Sequence, residues 1–480
     1  MQEHDLPPVD VAIIGYGPVG ATLANMLGRR GLSVLVLERE AAAYHLPRAV
    51  HFDDEVMRVF QSIGLAEAIE PTTHVSPGMR FVDAEGALLL DWPRPTTRGP
   101  QHWHASYRFH QPELEDVLRR GVARFPTVTL RARTEVFALD QAPGQVLIRA
   151  EELATGRLLR IPARYVVGCD GARSTVRRFM GAAMEDLGFH EPWLVVDLIL
   201  SRPRPDLGDA SVQHCDPARA ATYVRGTGDR RRWEIALLPG EDPAAMCAPE
   251  QVWRLLSRWI TPDDARIERA AAYVFHSAIA TRWREGRLLL AGDSAHLTPP
   301  FLGQGMCAGI RDAANLGWKL AAVLGGADDA LLDSYQAERS PHVRAYIERA
   351  VQLGGLINTR AMDRALALEE GGGRISSIRP RLGPGLSAGW TEATGTIAPQ
   401  PRLSCGRLLD EVTGDGFALL ARPGTEGAIT DPAVQPFLDQ LGAMAVMLRP
   451  DRYILGAARD AREMTQLLSA IPSRHYGDAA

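Results

Sequence analysis

The spacing of apolar positions changes twice within the first forty residues. Residues 9–14 (VDVAII) make a short apolar run of strand length, 18–30 repeat apolar positions at helical spacing, and 32–37 (LSVLVL) make a second short run. That order predicts a βαβ unit. Helical periodicity follows at 54–69 and 111–124, and strand-like segments at 128–139, 146–150 and 158–167. From 193 to 238 the pattern becomes short β-rich pieces split by Pro203, Pro217 and Gly226 to Gly228, which predicts a separate sheet. A helix at 249–260, a strand at 287–290 and long helices at 303–324 and 331–353 come next. The Gly-, Pro- and Ser-rich stretch 370–400 reads as a linker. Strands at 417–421 and 444–448, with helices at 433–441 and 460–470, predict a small C-terminal αβ module. The whole is an α/β pattern of two or three domains.

Composition narrows the class without changing that outline. The 480 residues are 46% hydrophobic and 23% charged, with 45 Gly and 33 Pro, which is ordinary usage for a chain that folds in water. A formal charge of −5 with no basic block gives no electrostatic reason to expect nucleic acid or an anionic membrane as partner. Cys169, Cys215, Cys247, Cys307 and Cys405 lie far apart with no C-x-x-C, which argues against a disulfide framework and a structural zinc site and favours a reducing cytoplasm. The N-terminus lacks the cationic region of a secretory signal, and the chain has no apolar run of about 18 residues, so no membrane span is expected. Of 53 cationic residues only Lys319 is a lysine, a compositional bias that makes abundance a poor guide to which arginine binds a ligand.

Candidate chemistry sits at three strand ends. In Gly15-x-Gly17-x-x-Gly20, Gly15 suits a tight turn, Gly17 the approach of a pyrophosphate to the backbone, and Gly20 close packing of helix on strand. The helix N-terminus behind them would meet the phosphates. Glu38 ends the second strand, where a carboxylate suits the ribose hydroxyls of an adenosine and repels a 2′-phosphate, so FAD or NAD fits better than NADP. Alone, a glycine turn also serves mere packing. The second motif is VVGCDGARSTVR (166–177) with Asp170-Gly171, which could equally be a loop capped by Ser174. The third is LLLAGDSAH (288–296) with Gly292-Asp293, followed by PPFLGQG (299–305) and a helix. One elongated ligand at the carboxyl edge of a sheet would account for all three.

In this order the motifs resemble the fingerprint of the FAD-dependent class A aromatic hydroxylases, the single-component flavoprotein monooxygenases, over about residues 8–350. PRAVHFDDE (47–55), FHQPELE (109–115), CDPAR (215–219) and PPFLGQGMCAGIRDAANLGWKL (299–320) are most similar to 3-(3-hydroxyphenyl)propionate hydroxylase-like enzymes. The resemblance implies a discontinuous Rossmann-like FAD-binding domain (1–183 and 273–395), an inserted β-rich substrate domain (184–272) and a thioredoxin-like C-terminal module (396–480). That module has no cysteine pair, so its expected role is structural or a contact in a homodimer. The cofactor implied is FAD, with NADH or NADPH as a transient co-substrate and O2 as oxidant. The reaction implied is hydroxylation of a small phenolic substrate, such as a phenylpropionate-type acid, through a flavin hydroperoxide.

The resemblance also assigns roles. Glu38, with Arg39 beside it, would serve the adenosine ribose, Arg48 and Gln111 the pyrophosphate and ribityl region, and Gly292 and Asp293 the ribityl chain. Asp170 would serve FAD and nicotinamide together. Gly303, Gln304 and Gly305 would present backbone N–H groups and a helix end to the flavin pyrimidine, stabilising negative charge on the reduced ring, and Pro300 would wall the pocket. His214 and Tyr223 are candidate proton acceptors for a phenol, and Arg225, on the face of Tyr223 by alternation, is a candidate carboxylate clamp. Each of the three has a structural reading too: a hydrogen-bonded histidine, a core-edge tyrosine, a solvated arginine. No metal ligands are expected. The competing functions are a Baeyer–Villiger or epoxidising tailoring oxygenase of a polycyclic substrate, and an NAD-dependent dehydrogenase, which would leave two motifs idle.

Overall fold

The computed structural model describes residues 3–43, 46–358, 377–386 and 391–472, and shows a mixed α/β protein with four sheets. In the nine-stranded sheet, Arg157–Gly168, Val9–Ile14, Val34–Leu37 and Val128–Arg131 lie side by side and parallel. Leu288–Leu290 pairs in parallel with the end of Arg157–Gly168. Val11, Ala12, Ile13 and Val36 are wholly buried, as expected of strands covered on both faces. The register matters most: Leu37, Ile14, Gly168 and Leu290 stand level, so the turns that follow these strands emerge at one edge. Over this edge lie the helices Pro18–Arg29 and Gly305–Leu324, packed against each other.

The second sheet has eight strands, with Met184–Leu200, Arg230–Ala236, Ala221–Arg225 and Ser211–His214 as consecutive neighbours. One face carries Leu194, Val196, Tyr223, Trp233 and Ile235, which form a core with Val252 and Leu256 of the helix Pro249–Leu256. The sheet is wider than the segment 184–272. Gly78–Val82 and Leu88–Pro93 extend it through parallel pairing of Ser211–His214 with Gly78–Val82. That hairpin belongs there because Phe81, Leu90 and Trp92 bury themselves in a core with Trp193 and Phe301.

Two smaller differences have local causes. The strand expected over 128–139 is split into Val128–Arg131 and Thr134–Ala142, with Arg133 between them at a φ of 53°. The helix expected over 54–69 stops at Ser62, where Gly64 turns the chain with a φ of 70°. Of the expected linker, 370–376 and 387–390 lie outside the described residues. No helix among the described residues is long and apolar enough to cross a membrane.

The C-terminal segment forms an antiparallel sheet of Ala418–Ala421, Ala445–Leu448 and Ile454–Ala458, with helices Gln435–Gln440 and Ala461–Ser469. Buried charges fasten it to the rest. Arg58 makes two bonds of 2.7 Å to Asp410. Glu338 accepts from Lys319 Nζ at 2.6 Å and from Arg449 at 2.9 and 2.8 Å. The single lysine of the chain is thus part of the docking contact, and burial pulls its amine down to about 8. Burial alone would raise the Glu338 carboxyl, but Arg449 and Lys319 outweigh it and hold the group well below the usual carboxylate range.

Glu338→Ala would leave Lys319 buried without its carboxylate and Arg449 with Asp451 alone, a loss of about 3–5 kcal/mol. The melting temperature is expected to fall by about 6 °C or more, at about 2–4 °C per kcal/mol. Because the folded pKa is depressed, the contribution of Glu338 is complete above the unfolded value of about 4.3 and is lost as pH falls toward the folded one. The gap between wild type and variant should therefore narrow on acidification; an equal gap at all pH would contradict the assignment.

Candidate active site

The glycines of the first motif do different jobs. At Gly15, whose φ is 101°, a Cβ would lie 2.4 Å from the carbonyl oxygen of Cys169, and at Gly20 one would lie 2.2 Å from that of Gly15. Those two positions are closed by backbone. Around Gly17 nothing lies within 4 Å of a Cβ, and Gly17 lines a cavity of about 380 Å³ that runs from this edge to the second sheet. The helices Pro18–Arg29 and Gly305–Leu324 both start on this cavity with no side-chain cap and no acid in the first turn. Asp53, Ser174 and Asp460 cap other helices by accepting from their first-turn N–H groups. Two helix ends with open donors on one cavity suit an elongated anion.

The remaining candidates of the cofactor end fall into two groups. Arg48, Gln111, Asp293, Pro300, Gly303 and Gly305 all line the cavity. Gln111 Oε1 accepts from the N–H groups of Arg48 (3.0 Å) and Ala49 (2.7 Å), which fixes the segment beside it. Asp293 is open to the cavity yet enclosed by protein, and that desolvation raises its carboxyl pKa. Gly292 fixes its turn by donating to Asp312 at 3.0 Å, and Asp312 also meets His296 (2.6 Å) and Arg339 (2.9 Å). Gly303 has a φ of 63°, and its carbonyl oxygen is 3.3 Å from His51 Nδ1. The buried His51 ring is held near a pKa of about 3, neutral at working pH.

Glu38, Asp170 and Gln304 are engaged within the protein. Glu38 accepts from the backbone of Tyr16 at 2.7 Å, tying the second strand to the glycine turn. Arg39 is exposed and pairs with Glu40 at 3.2 Å. Asp170 accepts from Ser174 Oγ, Ser294 Oγ and the N–H of Thr175 and Val176, so its carboxylate braces the second turn against the third. The Gln304 side chain turns away from the cavity and bonds Asp53 (3.1 Å) and Arg311 (3.0 Å). Arg311 in turn binds Glu55 at 2.7 Å, and Glu55 accepts from Tyr453 of the C-terminal segment at 2.6 Å. A chain of buried bonds thus leads from that segment to the turn at the cavity.

At the other end, the sequence expectation needs correcting. His214, Tyr223 and Arg225 do not line the cavity. The ring of His214 packs 4.9 Å from Trp259, that of Tyr223 lies 5.0 Å from Trp233, and Arg225 bonds Asp209 and the carbonyl of Gly228. Burial lowers the His214 pKa to about 4 and raises that of Tyr223. These residues face the helix Pro249–Leu256 side because the strand parity is opposite to the one assumed. The cavity instead meets the alternate rungs, Gln213–Thr222–Glu234 and Val224–Arg232. Thr222 Oγ1 donates to Gln213 Oε1, and Arg232 binds Asp197 at 2.7 Å. Arg94 and Arg108, which no motif singles out, complete this wall with His51 and Phe275. Shifting the parity of 211–225 by one would have found Gln213, Thr222 and Val224; for the two arginines the sequence carries no signal.

These features fit an FAD, with open space at Gly17, uncapped helix ends and cavity-facing Asp293, Arg48 and Gln111. The profile of the FAD binding domain matches residues 8–350. A probable NADH-specific resorcinol 4-hydroxylase of Rhodococcus jostii (strain RHA1) is 40% identical over 97% of this chain and 96% of its own length. A 3-(3-hydroxy-phenyl)propionate/3-hydroxycinnamic acid hydroxylase of Mycobacterium sp. (strain JLS) is 35% identical over 96% and 84%. Among solved structures, the flavin-dependent monooxygenase PieE in complex with FAD and substrate superposes with a TM-score of 0.84 at 23% identity, covering 97% of this chain and 99% of that one. Aklavinone-11 hydroxylase with FAD and aklavinone gives 0.81 at 22%, over 99% and 100%. At these identities the structures speak for the fold.

Asp293→Ala removes a cavity-facing carboxylate without touching the buried braces. The dissociation constant of FAD, titrated into apoprotein by flavin fluorescence, is expected to rise about tenfold, about 1.4 kcal/mol. An unchanged constant would show that Asp293 does not contact the cofactor.

Proposed function

Because the chain belongs to the FAD binding domain family, as a relative of its aromatic hydroxylases, we propose that it uses NADH and O2 to hydroxylate the ring of a small phenol. It is an FAD-dependent monooxygenase. The observation that carries the reading is the single cavity shared by the uncapped helix ends and a polar sheet face. A cofactor held at one end and an aromatic ring at the other would meet in one chamber.

The bound flavin supplies the redox chemistry, taking electrons from the nicotinamide and activating dioxygen. The protein's part is binding, orientation and water exclusion. Glu38 would serve the adenosine ribose and the turn Gly15 to Gly20 the pyrophosphate, where the N-terminus of Pro18–Arg29 offers its partial positive charge. Arg48, Gln111 and Asp293 would hold the middle of the molecule. The backbone at Gly303 and Gly305, backed by the helix Gly305–Leu324, would face the pyrimidine end and favour negative charge there. Asp170 contributes by bracing two turns, and Gln304 by fixing a third.

For the substrate, Pro300, Phe301 and Leu302 offer an apolar wall opposite the polar rung of Gln213, Thr222 and Glu234. The apolar side positions a ring and keeps water away from it. Glu234 is buried, which raises its carboxyl, and Arg232 at 3.7 Å draws it back toward the charged form. It is the acid on this wall best placed to accept a proton from a ring hydroxyl.

Purified holoenzyme should be yellow. With NADH and a phenol, one NADH and one O2 should be consumed per product molecule, and the product should gain one oxygen atom on its ring by mass spectrometry. Recovery of all consumed O2 as hydrogen peroxide with every phenol, or a ring-expanded lactone from a cyclic ketone, would contradict the reading.

A further inference from the structure

Buried arginines in this protein are paired with acids as a rule. Arg58 meets Asp410, Arg311 meets Asp53, Arg339 meets Asp312 and Arg449 meets Glu338, all within 2.9 Å. The rule has a physical basis, since a buried charge without a partner carries a heavy desolvation cost. Among the described buried arginines, Arg108 and Arg231 break it, having no carboxylate within 4.0 Å. Arg231 satisfies itself on the carbonyls of Gly228 and Arg230, away from the cavity.

Arg108 has no such substitute. It is 8% exposed and lines the cavity. Its Nη2 donates to Ser211 Oγ at 2.8 Å, and its buried Nε meets no acceptor. Its position is fixed from both sides, because Tyr107–Arg108 is the middle strand of a small sheet between His51–Phe52 and His74–Val75. The acid of this wall, Glu234, is within ion-pair distance of Arg232. A second cavity-lining arginine, Arg94, sits with its guanidinium 4.6 Å above the Trp92 ring and also lacks a carboxylate within 4.0 Å among the described residues. The substrate end of the chamber therefore presents more positive charge than its own acids neutralise at close range.

We propose that Arg108, supported by Arg94, is the binding site for a carboxylate carried by the phenolic substrate, so that phenolic acids are preferred over neutral phenols. This rests on the hydroxylase reading and adds to it the substrate's charge. A carboxylate is the anion chosen because it is already ionised at neutral pH. A simple phenol with a pKa near 10 is ionised to only about one part in a thousand there. A guanidinium also presents planar, paired donors that match a carboxylate's two oxygens.

The test compares matched ligands on the holoenzyme: 3-(3-hydroxyphenyl)propionate against 3-ethylphenol, and 2,4-dihydroxybenzoate against resorcinol. Dissociation constants are read from the perturbation of the flavin absorbance. In the wild type at least one acid should bind about tenfold or more tighter than its neutral partner, the scale of one charge-assisted bond. Arg108→Gln should bring that ratio to near one, and Arg108→Lys should keep part of it. Equal binding of acid and neutral partner in the wild type overturns the proposal without needing any variant. So does an Arg108→Gln protein that weakens both ligands alike, or that sheds FAD, which would place the cofactor on this arginine. Ring-oxygenated product formed with no preference for acids overturns only the carboxylate site, whereas no oxygenated product from any phenol overturns the hydroxylase reading with it.

Discussion

At the carboxyl ends of Val9–Ile14 and Arg157–Gly168 the chain touches itself backbone to backbone. A Cβ on Gly20 would lie 2.2 Å from the carbonyl oxygen of Gly15, and one on Gly15 2.4 Å from that of Cys169. The contact is extended by Cys169 N–H donating to Ile14 at 2.7 Å and Ala291 N–H to Gly168 at 2.9 Å. No side chain intervenes, so three turns distant in sequence share one edge. The helix Pro18–Arg29 is drawn onto that edge with its first N–H groups facing the cavity. A bulkier residue at Gly15 or Gly20 would separate the turns and move those donors.

Charge secures what this contact sets. Asp170 ties the second turn to the third through Ser294, and Asp312 holds the third through the N–H of Gly292. Arg311 links Asp53, Glu55 and Gln304, and Tyr453 connects that group to the C-terminal segment. The buried arginines are thus used largely as multidentate crosslinks, a role that suits a planar guanidinium better than an ammonium. The single lysine, Lys319, takes part in the same kind of contact. Against that background Arg108 stands out as a buried arginine of the cavity wall without an acid within 4.0 Å among the described residues, where a count of arginines would have hidden it.

Much of the edge where the glycine turns meet the cavity was legible in the sequence because glycine has few reasons to recur at such spacing. Gly15 and Gly20 are required by backbone contact and Gly303 by a φ of 63°, while Gly17 leaves open space on the cavity. The strand and helix order around them followed from apolar period. The substrate sheet was harder. Ala221–Arg225 is buried on both faces along most of its length, so alternation carries no mark of which face is the cavity, and the expectation falls on Tyr223 rather than Thr222. The hairpin Gly78–Pro93 joins that sheet through a contact more than a hundred residues away in sequence, Met79 beside Ser211, which no local pattern announces. Asp170 illustrates a subtler limit: its motif was visible, but it is the folded turn that spends the carboxylate on internal N–H and hydroxyl donors.

The central claim is that one chamber holds cofactor and substrate together, with the substrate on the Gln213–Thr222 face of the second sheet. A crystal structure of the holoenzyme soaked with a phenol tests it directly. The account predicts an FAD extending from Gly17 toward Gly303 and Gly305, and an aromatic ring between Pro300 and the rung of Gln213, Thr222 and Glu234. A phenol seated instead against His214 and Tyr223, or a flavin outside this cavity, would contradict it.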